Sequence, residues 1–533
     1  MTTPVAPTTA PSSAIDFSRY LPPGVYVNPT PGPQLAVNST LPTADGLFGV
    51  SVGFRQFIES LLINPDTNDT TPAINRTLGN AGINPATIVV TNPNSGQVYT
   101  LGADYTVVQV GGALGTPTVL YTISRVIDGG HITQGETIQV AYQFTDDTYF
   151  LPKVFYTYRD VVTAYGLPYN VTPGSAAYGT IQSELTLAAQ FAFLNGAYQL
   201  VCAAVKPTTP GNPTIGDYND ALATLADQPL VAIVVPCTGQ QPLQQLVQEH
   251  VDSQSANRFE RRAVCGMDGT GTRVPSTQRM NNAMELSDQR IMLLSPDRFT
   301  YFSTELNNDI TIGAQFMAAS LAGMAMNMSW AMPLTHKLPT GWNDIPEVEP
   351  EAQKDLETEN GLCVIEKTRR LQIWVRHGVT TDNRDMLHRE WSIIGQQDAM
   401  VYRLRDYLEN ANLIGQPIYD YTLVNVKASA EAALQSLVRD GLLVDYFGLE
   451  ARQLLTNPDV IEVSYSWLPA FPLNYIVVTF NISLTSGNIT QQGTTSNISN
   501  ATSTTATSTT ITAPASSSIT DFGGPSNTLQ STQ

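Results

Sequence analysis

Between residues 150 and 345 the apolar positions follow two alternating rhythms. Stretches with a helical period fall at 183–195, 217–227, 243–251 and 276–286, the last beginning on Ser276 as a cap. Between them lie short runs at 199–205, 230–236, 262–267 and 290–295. The run 230–236 is apolar throughout, which suits a strand covered on both faces. This βα succession predicts a mostly parallel sheet between helices. A strand at 47–52 followed by a helix at 56–63 precedes it.

Residues 86–91, 105–110, 118–126 and 137–145 change to strand runs separated by Asn, Gly and Asp turns, so a small antiparallel sandwich over 85–148 is predicted as an insertion. Beyond 360 a strand at 371–375 and a helix at 398–411, with Met400, Leu404 and Leu408 on one face, are followed by a helix at 429–438. Strands at 442–447 and 461–467 complete that pattern, as two helices on a sheet. The fold class is therefore multidomain α/β and α+β. The expected divisions are 1–18 disordered, 19–46 an arm, 47–84 the start of the core, 85–148 the sandwich and 149–345 an α/β domain. An acidic linker at 346–359, a final domain at 360–474, a closing strand at 475–484 and a disordered Ser/Thr-rich tail at 485–533 follow.

Both ends carry strand-forming runs fenced by proline. Gly24, Val25, Tyr26 and Val27 sit in a run with no adjacent hairpin partner. Tyr475, Ile476, Val477, Val478, Thr479 and Phe480 follow Pro469 and Pro472, which forbid continuous pairing with the run at 461–467. Each run either lies along an edge of its own sheet or reaches another subunit.

Charge and chemistry narrow the function. With 27 basic and 46 acidic residues the net charge is −19, which argues against a nucleic-acid surface. Cys202, Cys237, Cys265 and Cys363 form no C-x-x-C and are expected as free thiols. The N-terminus lacks a basic region and an apolar core, so it is not a signal peptide, and the apolar window 314–326 is shorter than the roughly 20 residues a bilayer needs. Gly266 to Thr272 stands where a phosphate loop would, yet lacks the Lys, and Asp268 would repel phosphate. His131, His250, His336, His377 and His388 show no ligand spacing. No catalytic, metal or cofactor site is expected. The acidic run Glu347, Glu349, Glu351, Glu357 and Glu359 reads as a solvated linker.

In sequence order, Pro22 to Val27 (PPGVYV), Asn360-Gly361-Leu362, the loop Gly378-Val379-Thr380-Thr381, Trp391, Arg403 and the Pro469/Pro472 strand resemble the sheath proteins of contractile phage tails and related injection systems. The likeness covers the first fifty residues and 360–484 well, 149–345 moderately, and the insertion hardly at all. Ala331-Met332-Pro333-Leu334 and the Ser/Thr-rich extension depart from it. The resemblance implies a structural virion protein that assembles in the host cytoplasm into a helical sheath of stacked rings. It implies partners in the tail tube, baseplate and tail terminator, and a final-domain core around Trp391, Arg403, Leu404 and Leu408. Its arms would exchange strands between subunits, and contraction would drive the tube through the host envelope without nucleotide, cofactor or membrane insertion. The alternative is a virion surface protein binding a receptor or carbohydrate through the β insertion.

Overall fold

The computed structural model describes residues 41–51, 55–63, 76–110, 120–144, 147–171, 174, 176–208 and 213–479. The expected arm at Gly24, Val25, Tyr26 and Val27, Phe480 and the tail lie outside the described residues.

The centre is an eight-stranded sheet. Its strands are β1 (Ala44–Gly49), β2 (Lys153–Phe155), β3 (Leu200–Ala204), β4 (Val231–Pro236), β5 (Arg262–Cys265), β6 (Ile291–Ser295), β7 (Leu362–Lys367) and β8 (Ile373–Val375), in the order β8-β7-β6-β5-β4-β1-β3-β2. The inner six run parallel, with Leu47 opposite Val235 on one side and Cys202 on the other, while β2 and β8 close the two edges antiparallel. Strands buried on both faces need apolar side chains at every position, and every residue of β3, β4 and β6 is buried.

Helices cover both faces. Along β1, Leu47 points into one core and Phe48 into the other. On the Phe48 side lie α2 (Ile215–Thr224), α3 (Gln241–Ala256) and α4 (Ser276–Leu286), which contribute Tyr218, Val247 and Ala283. On the Leu47 side lie α1 (Glu184–Leu194), α5 (Ala314–Asn327), α7 (Trp391–Asn410) and α8 (Asp420–Arg439). The apolar window at 314–326 is the buried helix α5. Pro275, not Ser276, precedes α4 as its N-cap, and the Ser276 hydroxyl donates to Glu357 instead. Glu184, at the start of α1, accepts from the Val50 amide at 2.9 Å and the Tyr218 hydroxyl at 3.0 Å.

Three expectations are corrected. The helix at 56–63 is a strand, Arg55–Leu62, paired along its whole length with Thr137–Phe144. With Ile83–Thr91 it forms a three-stranded sheet, and Arg76–Thr77, Leu120–Arg125 and Tyr105–Val110 form a second. Val90, Tyr105, Ile123, Val140 and Tyr142 share one core between them.

The run at 346–359 is no solvated linker, because nine of its residues form α6 (Glu351–Glu359) and Glu357 is fully buried. Glu357 accepts from Arg279 and Ser295, both at 2.5 Å, and Arg279 also binds Glu349 at 2.8 Å. The charges that satisfy the run come from distant elements, so a buried carboxylate is tolerated.

Nor does β7 start a separate sheet. It pairs with β6, so the segment after 360 extends the central sheet.

Candidate assembly surface

A two-stranded ribbon lies beyond α8. Strands β9 (Asp445–Gln453) and β10 (Ile461–Leu468) pair antiparallel, with Tyr446 opposite Trp467 and Ala451 opposite Val463. Between Phe447 and Glu450 the register slips by one residue, and Gly448, at φ +64°, takes the left-handed conformation that such a bulge needs. One face carries Tyr446, Leu449, Ala451, Ile461, Val463, Tyr465 and Trp467, packed on the core that α8 supplies with Ala430, Ala433, Leu434 and Leu437. The other face is exposed and mostly polar, with Arg452 bonded across the strands to Glu462 at 2.6 Å, although Phe447 and Leu468 also lie on it. The predicted strand 442–447 is thus displaced into β9. Among the described residues neither strand pairs with a third, which leaves backbone groups unpaired along both edges.

The long helix α7 ties this region to the central sheet. It begins seven residues before the predicted start, because Trp391 and Ile394 are core residues and its charged positions find partners on other elements. Asp398 bonds Arg290 at 2.9 Å, and Arg405 holds Glu260 with one bond at 3.0 Å. The Arg262 guanidinium lies 4.6 Å from the Trp391 ring centre and 5.1 Å from that of Trp330. Burial lowers the Arg262 pKa to about 10. Burial likewise pushes the Asp398 carboxyl upward, against the pull of Arg290 and Arg262.

Of the expected core residues, Trp391, Leu404 and Leu408 are buried. Arg403 is not; it reaches across to Ser436 at 3.3 Å and to Asp440 near the end of α8. Nothing in the sequence marks the ion pairs of α7, since charged residues in a helical run give no sign of what faces them. The structure also gathers the motif residues. Gly361 packs on the Thr381 backbone, the Thr380 amide donates to the Arg389 carbonyl at 2.8 Å, and the Trp391 backbone amide donates to the Gly378 carbonyl at 3.2 Å.

Past the ribbon, Tyr475, Ile476, Val477 and Val478 are 76–90% exposed, and 475–479 forms no strand. Within the described residues the predicted strand is therefore not formed over 475–479 in the single chain, since a ladder needs a partner.

Enzyme-like features resolve into packing. A Cβ on Gly266 would lie 2.1 Å from the Ala314 carbonyl carbon, so the loop resembling a phosphate cradle is filled by the start of α5. The four cysteines are free and buried, and burial pushes the Cys265 and Cys363 thiols up to about 12. Among the described residues no group of three or more His, Cys, Asp or Glu is arranged to hold a metal, and no helix is long and apolar enough to cross a membrane.

No family model matches the chain. Among solved structures, the contracted helical sheath of the anti-feeding prophage is 13% identical with a TM-score of 0.48, covering 64% of this chain and 90% of that one. A sheath tail protein from Desulfitobacterium hafniense is 12% identical with a TM-score of 0.41, covering 84% and 99% respectively. Likenesses of this size say nothing by themselves about what the chain does. The tail sheath protein of Mycobacterium phage Bxz1 is another matter, being 42% identical over 91% of this chain and 100% of its own length. With identity of that extent, the chain belongs to the phage tail sheath protein family.

Proposed function

We propose that the protein is the subunit of a helical contractile sheath, which surrounds the tail tube and contracts to drive it through the host envelope. The observation that carries this reading is the ribbon, whose two long strands leave both edges unpaired among the described residues and are followed in the sequence by an exposed strand-forming run. Open edges accept further strands, and a run such as 475–480 is suited to donate one to a neighbouring subunit. The N-terminal run with Gly24, Val25, Tyr26 and Val27 would fill another edge. Head-to-tail donation of this kind does not close on itself, so it generates a helix. Tube, baseplate and terminator are the partners on this reading. The carbohydrate- or receptor-binding alternative draws no support from the Bxz1 relative, a sheath protein.

Val478→Pro tests the reading. Proline removes one backbone donor and disrupts the adjacent pairing. The expected outcome is a subunit that melts as the wild type does and forms no tubes in electron micrographs. A strongly lowered melting temperature would show instead that the run completes its own subunit. Deleting 1–33 is expected to act alike, with folding kept and ordered polymers lost.

A further inference from the structure

The segment between the ribbon and the exposed run begins on the buried Pro469 and is held beyond it by polar contacts. Phe471 and Leu473 are 48% and 79% exposed, so they do not anchor it. What holds it is Gln396 of α7, itself fully buried. Its Nε2 donates to the Ala470 carbonyl at 3.0 Å, and its Oε1 accepts from the Ala470 amide at 2.7 Å. One carboxamide thereby takes both backbone groups of Ala470, as a neighbouring strand would. Four residues on, Asn474 Nδ2 donates to Glu390 Oε1 at 3.0 Å, and His377 Nε2 shares that oxygen at 2.8 Å. Glu390 is fully buried at the start of α7. Pro469, just before the first contact, and Pro472, between the two, restrict the backbone, which reduces the entropy lost in holding it. The compact unit ends at Asn474.

We propose that Gln396 and the His377–Glu390–Asn474 cluster form a clamp that fixes the point from which the C-terminal run leaves the subunit, presenting it to the neighbour that receives it. The proposal rests on the reading that this run is donated. The four side chains are positioning residues. They act by making the run's starting point the same in every subunit, so that its ordering is complete before assembly.

The test compares Gln396→Leu, Asn474→Ala and a chain ending at Asn474, each followed by thermal melting, by hydrogen exchange at the Ala470 amide and by the concentration at which polymers first form. For Gln396→Leu the expected result is faster exchange at Ala470, a nearly unchanged melting temperature and a polymerisation threshold raised about tenfold or more, the scale of one or two lost hydrogen bonds. Asn474→Ala, at the outer end of the clamp, is expected to raise the threshold too, and it serves where the buried substitution fails to fold. An unchanged threshold in both variants overturns the clamp. So does a threshold that rises only in step with a falling melting temperature, which marks an ordinary structural role. The truncated chain separates the two readings: if it forms no polymers, the donated run stands whatever the clamp variants do, and if it polymerises as the wild type does, the donation reading itself fails.

Discussion

The central sheet and the ribbon treat their edges in opposite ways. The eight-stranded sheet ends on β2 and β8, each three residues long and antiparallel to its neighbour, so little unpaired backbone is left. The ribbon keeps strands of nine and eight residues with nothing beside either among the described residues. Short edge strands are a common guard against unwanted pairing, and long open ones invite it. One chain thus contains a sheet with closed edges and a ribbon with open ones.

The largest expected effect comes from opening the protected side. Helix α6 secures that side through Glu357 in the core and through Lys354, which bonds Glu366 of β7 at 2.9 Å. Glu357→Ala leaves Arg279 buried without its main partner, and the expected loss is about 3–5 kcal/mol in denaturant unfolding, accompanied by disordered aggregation.

A smaller effect separates sheet stability from ribbon assembly by pH. Burial raises the Glu184 pKa to about 7 from an ordinary value of 4.5. A carboxyl raised in the folded state binds its proton more tightly there than in the unfolded chain. Its stabilising contribution is therefore full below the ordinary value and is lost as the pH rises through about 7. Glu184→Gln is expected to flatten that dependence, recovering up to about 3 kcal/mol at alkaline pH by thermal melting. Its polymerisation threshold should not move, because Glu184 lies on the central unit and not on the ribbon.

The smallest effect is on the ribbon's polar face. Arg452→Ala removes an exposed cross-strand pair and should change monomer stability by less than about 1 kcal/mol in the same melts. A larger loss would show that the ribbon depends on that face even before it meets a partner.

The legibility of the sequence follows the same division. Strand β4 and helix α5 could be read because they are covered on all sides, so an uninterrupted apolar run has one interpretation. The strand Arg55–Leu62 has the look of a helix in the sequence because it is apolar on both faces: Leu61 packs on the module's core while Ile58 and Leu62 are exposed. Apolar residues at Phe57, Ile58, Leu61 and Leu62 have helical spacing, and only the pairing with Thr137–Phe144 decides the matter. Charged residues were the least legible. Glu357 and Asp398 look like solvent-facing positions until Arg279 and Arg290 arrive from elsewhere in the chain. Of the assembly surface, the Pro469/Pro472 break could be seen in the sequence. The Gln396 contact could not, since it joins residues 74 positions apart.

The β module enters and leaves the main unit through a single ladder rung, for Arg55 and Phe144 are direct partners. Their Cα atoms therefore stand roughly 5 Å apart, the spacing of any antiparallel pair. To the rest of the subunit the whole module is a loop with its ends already joined, and lengthening such a loop costs only about 0.6 kcal/mol per doubling. That rung is a socket. A foreign domain whose termini lie equally close would plug into it without shifting the register of β1 or β2, making it the natural place to graft a label or cargo onto every subunit of a sheath.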